Sequence, residues 1–286
     1  MSRQVIEVVL SGGIGNQLFQ YAAGRFLSEK LLAPLRFDIS WYLRNNDPQK
    51  TTKREFVLPN LLLTKKLEVC SSPLPKKGFD FYRRFENFKL INDLSQSVDN
   101  FQGISTMKPV RLSGYWQSFG YFDRIENLLR TEINQTPEYS KESKELLNKI
   151  SSTKSLGLHV RRGDYVSLSN AALFHGVCKP EYYIASVDEM RRLTGVDSVI
   201  IFSDDMKWCK ENLEFSSETI YVDESIPDID QLKLMSHCSN QIISNSSFSW
   251  WAAWLGKSVG QKVIYPKTWF ADGRGFTGVP DNWISR

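Results

Sequence analysis

Apolar positions in the first half of the chain change from a clear pattern to none and back. Val5–Leu10 is apolar except for Glu7 and predicts a buried strand, and Gly12–Gly15 predicts a turn. From Asn16 to Leu32, Leu18, Ala22 and Phe26 run beside Phe19, Ala23 and Leu27, two adjacent stripes that make one wide helical face. Leu35–Ile39 is the next expected strand. Between Asn45 and about Thr106 the pattern dissolves into polar, Pro-containing sequence with scattered aromatics (Phe79, Phe81, Tyr82, Phe85, Phe88), read as short elements in long connections. A strand over Val110–Tyr115, a helix over Tyr121–Glu132 and a polar helix over Glu138–Ile150 lead out of this half.

The second half alternates regularly. Leu156–Val160, Val199–Phe202, Ile220–Val222, Gln241–Ser244 and Lys262–Tyr265 are short β-rich runs. Helical patterns lie between and after them at Glu181–Leu193, Met206–Leu213, Ile229–His237 and Phe248–Leu255. β-branched strands alternating with helices mean βαβ units on a parallel sheet, hence an α/β fold.

Composition narrows the class. The 286 residues suffice for two domains, and 41% apolar with 24% charged residues is a globular balance. The net charge of +4 is scattered along the chain, which argues against nucleic acid as a partner but leaves room for a local basic pocket. Cys70, Cys178, Cys209 and Cys238 show no paired spacing and read as reduced thiols of a cytoplasmic protein. The amino-terminal apolar stretch is short, carries Glu7 and runs into a glycine loop, so it reads as a first strand and not a signal peptide; no run approaches the roughly 20 apolar residues of a membrane span.

In open parallel sheets ligands bind beyond the carboxyl ends of the strands. The segments there are Ser11–Gln17, Arg161-Arg162-Gly163-Asp164, Ser203-Asp204-Asp205, Asp223-Glu224 and Ser244-Asn245-Ser246-Ser247. Two guanidiniums, several carboxylates and many small polar groups suit a nucleotide diphosphate: arginines for phosphates, helix starts for further oxygens, carboxylates for ribose and base edges.

Other chemistries fit less well. Gly13-Ile14-Gly15 after a strand, with Asp38 beyond, begins like a dinucleotide fingerprint, but Leu18 stands where the third glycine belongs. Asp204-Asp205 and Asp228-Ile229-Asp230 imitate a metal-holding acid pair. However, Asp228 follows Pro227 at a helix start, where an acid caps backbone, and the arginines already supply positive charge. His159, His175 and His237 are too dispersed for zinc, and His159, ending a buried strand, reads as a packing and hydrogen-bonding residue. Ser246 and Ser247 lack the glycine frame of a hydrolase nucleophile. Phe248, Trp250, Trp251 and Trp254 fall at helical spacing and read as core. With aromatic residues at 13% and eight Trp, a non-catalytic carbohydrate-binding protein is the non-enzymatic alternative.

Four segments in order, Gly12–Ala23 (GGIGNQLFQYAA), His159–Tyr165 (HVRRGDY), Phe202–Asp205 (FSDD) and Ile243–Trp251 (ISNSSFSWW), resemble the family 11 glycosyltransferases, the α-1,2-fucosyltransferases. The resemblance implies a GT-B-like fold, two Rossmann-like domains facing across a cleft. It implies an acceptor-side domain over 1–150 and a donor-binding domain over 151–286. The implied reaction is inverting transfer from GDP-β-L-fucose to the 2-hydroxyl of a terminal galactose, without cofactor or metal; the residues themselves leave another GDP-sugar donor open. By the same resemblance Arg161 would bind the β-phosphate with Arg162 in support. Asn16 and Gln17 would meet the donor from the other domain, and His159, Asp204, Asp205, Asp230, Ser246 and Ser247 would line the donor pocket. Asp164 and His175 are the candidate bases, Asp164 alternatively orienting the arginines. The implied partners are GDP-fucose and a β-galactoside glycan, whose recognition is expected in 45–118. Family members from animals carry an amino-terminal membrane anchor; without one here, the expectation is a bacterial enzyme of surface-glycan assembly, cytoplasmic and peripheral to the inner membrane.

Overall fold

The computed structural model describes residues 4–43, 54–62, 67–70, 88–93, 97–133, 139–167, 173–256 and 258–286. Phe79, Phe81, Tyr82 and Phe85, and much of the expected acceptor region, lie outside these residues. The chain divides into two compact units, residues 1–48 with 53–135, and 49–52 with 136–286.

The first unit is built on a five-stranded sheet in the order β3-β2-β1-β5-β4, every neighbouring pair parallel. Its strands are β1 (Ile6–Val9), β2 (Leu35–Asp38), β3 (Glu68–Cys70), β4 (Lys89–Asn92) and β5 (Val110–Ser113). Helix α1 (Ile14–Leu31) follows β1, and Leu18, Phe19, Ala22, Ala23 and Leu27 on it are fully buried. The close approach of this helix to the sheet occurs at Gly24, where a Cβ would meet Val8 Cγ2 at 2.4 Å. Gly24 therefore does what a third glycine does in a dinucleotide fold, six positions after Leu18. Glu7, odd in an apolar strand, is buried and pairs with Arg36 (2.8 Å) and Arg111, and Arg111 Nη2 reaches Asp38 at 2.6 Å. Asp38 is thus committed inside the sheet's charge network and is not presented as a ribose-binding acid. Helix α2 (Val98–Gln102) precedes β5; the expected helix over 121–132 forms as two short 3-10 turns followed by α3 (Glu126–Ile133).

The second unit carries a six-stranded parallel sheet, β11-β10-β9-β6-β7-β8. Its strands are β6 (Ser155–Val160), β7 (Ser198–Ser203), β8 (Glu218–Tyr221), β9 (Asn240–Ile242), β10 (Val263–Tyr265) and β11 (Ile284–Ser285). β6 and β7 are buried along their whole length, which is why they read as continuous apolar runs. β11, two residues long, gives no periodicity to read. Ser140 caps α4 (Lys141–Ser152), its Oγ accepting from Ser143 N at 3.1 Å. That helix belongs to the second unit, so the division falls before it and not at the expected 150/151. Further helices are α5 (Gly163–Ser167), α6 (Pro180–Thr194), α7 (Met206–Asn212), α8 (Asp228–Ser236) and α9 (Ser247–Trp254). Trp250, Trp251 and Trp254 on α9 are buried, a core stripe as the spacing predicts. Among the described residues no helix is long and apolar enough to cross a membrane.

Candidate active site

Strand order places the site in the second unit. The sheet winds one way from β6 to β7 and β8 and the other way through β9 and β10, so β6 and β9 flank its topological switch point. Ligands of open α/β sheets settle at the carboxyl ends of such strands. The segments there are Arg161–Asp164 after β6 and Ser244–Ser247 after β9, with Ser203–Asp205 beside them at the end of β7.

Arg161 forks between two carboxylates: Nη2 donates to Asp164 Oδ1 at 2.6 Å and Nη1 lies 2.9 Å from Asp204 Oδ2. Burial opposes its charge, but Asp204 and Asp164 outweigh that and hold the guanidinium above its usual range. Asp204 also accepts from the Arg162 backbone N–H at 2.9 Å. Arg162 Nε donates to Asp205 Oδ2 at 3.1 Å, and its guanidinium lies 4.0 Å from the centre of the Trp208 ring. Asp205 in turn caps α7 through Trp208 N (3.1 Å). Gly163 makes the fork possible: a Cβ there would sit 2.6 Å from Asp204 Oδ2. An arginine has five N–H donors and Arg161 spends two on these carboxylates, leaving a fixed guanidinium with donors to spare.

Beneath Arg161 lies Tyr165, its ring 5.5 Å from the guanidinium carbon and stacked on His175 at 4.4 Å with a 1° interplanar angle. The Tyr165 hydroxyl donates to the Asn245 carbonyl at 3.1 Å. Burial lowers the pKa of His175, against an upward pull from Asp164. His159 is buried with Nδ1 2.8 Å from Ser244 Oγ and its ring against Phe248. Desolvation pushes it down to about 3 despite Asp204 nearby, so it is neutral at physiological pH. Ser246 caps α9 by accepting from Phe248 N (3.3 Å), and Ser247 opens that helix.

Three expected residues lie outside this cluster. Asp230, buried in the first turn of α8, accepts from Ser143 Oγ at 2.8 Å and ties α8 to α4. In the first unit, Asn16 Oδ1 accepts from Gln117 Nε2 at 2.7 Å, and the amide nitrogen stands over Gly12. Gln17 corrects the expectation. It is fully buried, donates to the Gly12 and Glu55 carbonyls (3.2 and 2.8 Å) and accepts from Val57 and Leu58 N–H (3.0 and 3.1 Å). Both donors and both lone pairs of its amide are used, so it holds 55–58 to the glycine loop and has nothing left for a ligand. Trp208 carries no signal in the sequence, and Tyr165 and Asn245, though inside segments the sequence singles out, receive no role there, since a Tyr or Trp on a short helix and one amide among serines carry no spacing signal.

Two Rossmann-like units, each on a parallel sheet, make up a GT-B-like α/β fold. Among solved structures the NodZ fucosyltransferase from Bradyrhizobium shares this fold at 12% identity; soaked with GDP-fucose, it aligns with 89% of this chain and 93% of its own, with a TM-score of 0.53. An α-1,2-colitosyltransferase of Escherichia coli is 30% identical over 295 aligned residues, covering 98% of each chain. A galactoside α-(1,2)-fucosyltransferase 1 of Saimiri boliviensis boliviensis is 26% identical over 167 residues, 54% of this chain and 44% of that one. The profile of glycosyltransferase family 11 matches residues 2–284, and the chain belongs to that family.

Proposed function

We propose that the enzyme moves L-fucose from GDP-β-L-fucose to the 2-hydroxyl of a terminal galactose with inversion, needing no metal. The observation that carries this reading is Arg161, fixed between Asp164 and Asp204 at the switch point with donors to spare. In the transfer, the acceptor oxygen attacks the anomeric carbon as the bond to the β-phosphate breaks. Negative charge grows on the leaving diphosphate, where a preorganised guanidinium is worth most. Arg161 takes the β-phosphate and Arg162, anchored on Asp205 and Trp208, supports it. Ser246, Ser247 and the α9 amino terminus offer further donors. Asp164 is assigned as a brace, because its Oδ1 already receives Arg161. His175 is the remaining candidate to receive the hydroxyl proton, and its lowered pKa keeps the ring neutral and able to accept it. Asp204 and Asp205 each answer to an arginine, which supports electrostatics without a divalent ion. Cys178, Cys209 and Cys238 are buried and in no disulfide among the described residues, which accords with a reducing, cytoplasmic setting.

The colitosyltransferase relative favours a second reading for the donor, GDP-linked colitose in place of fucose. Incubation with GDP-fucose or GDP-colitose and a panel of β-galactosides, with linkage analysis of the product, separates the two. Transfer of fucose to galactose O2 supports the first reading; transfer of colitose alone selects the second, and GDP release with neither donor refutes both.

A further inference from the structure

Segment 173–177 is tied down more firmly than a short connection needs. The Asn245 amide, 3% exposed, donates to the carbonyls of His175 (2.9 Å), Gly176 (3.3 Å) and Trp269 (2.9 Å), and accepts from Cys178 Sγ (3.6 Å). Ala271 N donates to the Phe174 carbonyl at 3.0 Å. The same Asn245 holds Tyr165 by its own carbonyl, so one buried residue sets both members of the stack beneath Arg161. The side chains displayed by this framework are nevertheless apolar and exposed: Val166, Leu173, Phe174 and Val177. Elsewhere in the described second unit, large exposed apolar side chains are scattered singly, at Ile184, Leu193 and Val259. Exposed apolar side chains gathered on so firmly held a stretch of chain point to a binding surface.

Ring contacts connect that patch with the charged cluster. Phe174, 53% exposed, stands edge-on to His175 (4.8 Å between centres) and to Phe270 (5.4 Å). His175 stacks on Tyr165, and Tyr165 underlies Arg161. His175 Nδ1, moreover, is buried and has no hydrogen-bond partner among the described residues. A buried unpaired nitrogen calls for a polar group from outside. A lipid surface or another copy of the chain could cover the phenyl ring, but an apolar contact would leave that nitrogen unsatisfied. A pyranose supplies both surfaces, a C–H face for the ring and hydroxyls for the nitrogen. Such a site has the character of ligand sites generally, mostly apolar with a few placed polar groups.

We propose that Phe174 and the adjoining His175 Nδ1 form the acceptor subsite, the phenyl ring covering one face of the acceptor's sugar and the nitrogen pairing with one of its hydroxyls. The site rests on the transfer reading above and places acceptor recognition partly in the second unit, outside the 45–118 region. The test is initial-rate kinetics of Phe174→Ala and Phe174→Tyr with GDP-fucose and whichever β-galactoside of the panel best accelerates GDP release. Phe174→Ala should raise the acceptor KM roughly tenfold, the loss of one aromatic contact. GDP-fucose KM and the slow hydrolysis of GDP-fucose without acceptor should not change, and Phe174→Tyr should restore most of the acceptor affinity. An unchanged acceptor KM in Phe174→Ala overturns the proposal, as does a parallel rise in donor KM. So does an effect confined to phosphatidylglycerol-vesicle binding or to oligomeric state, which would assign the patch to a membrane or a second copy. If no glycoside accelerates GDP release by the wild type, the transfer reading itself fails and the subsite falls with it.

Discussion

Gly163→Ala probes the charged cluster without touching any charge. The backbone at Gly163 is not in the left-handed region, so alanine is conformationally acceptable and the perturbation is steric. Its Cβ would lie 2.6 Å from Asp204 Oδ2, where ordinary contact begins at 3.4 Å, so the carboxylate must retreat by about 0.8 Å. Asp204 holds Arg161 Nη1 and Arg162 N, both at 2.9 Å, and a retreat of that size stretches one or both past hydrogen-bonding range. Charge-assisted bonds contribute about 1.5–3 kcal/mol each, and water reaching this half-buried pair recovers part of that. The larger consequence is kinetic, since a guanidinium displaced by a sizeable fraction of an ångström can cost up to ~10²-fold in rate. The assay is kcat/KM for GDP-fucose beside a thermal melt. We expect a fall of one to two orders of magnitude with a melting temperature changed by only a few degrees. Wild-type kcat/KM in Gly163→Ala would refute the idea that Asp204 sets the placement of Arg161.

Activity should survive EDTA, because Arg161 and Arg162 provide the positive charge; loss restored by Mn²⁺ or Mg²⁺ would return Asp228 and Asp230 to the role of ligands. Asp164→Asn keeps an acceptor for Arg161 but removes its charge, so GDP affinity should fall several-fold, while Asp204 preserves the rest. An intact GDP affinity with a depressed chemical rate would instead make Asp164 the base. His159 is held neutral in the folded chain, down to about pH 3, whereas an unfolded histidine takes up its proton near pH 6.5. The unfolded state therefore binds the extra proton in that window, and stability falls as pH drops from about 6.5 towards about 3. His159→Asn, though less stable at neutral pH, should show a shallower decline between pH 6.5 and 5 in melts; a parallel decline would refute the assignment.

What could be read from the chain follows from how local its causes are. β6 and β7 are buried on both faces, and burial on that scale writes itself as unbroken apolar runs. The loops after them were found because a parallel sheet puts its ligands at one end, a rule that needs only strand positions. The side chains within the site were less legible. Gln17 looked like a ligand-facing amide at a helix start, but its bonds run to Glu55, Val57 and Leu58, distant in sequence. Asn245 ties together His175, Gly176 and Trp269 across long separations, and no pattern in one sequence reports such partners. Gly24 and Gly163 owe their places to close approaches by Val8 and Asp204, which likewise become visible only in three dimensions.

Calorimetric titration of GDP into wild type and Arg161→Lys asks whether Arg161 binds the donor's diphosphate through its fork. A lysine can satisfy Asp164 or Asp204 but not both, and presents a point charge where a guanidinium offers several aligned donors. Clear GDP binding by the wild type is expected, with a loss of at least about tenfold in Arg161→Lys, the equivalent of one charged hydrogen bond. Equal GDP affinity in the two proteins would contradict that role for Arg161.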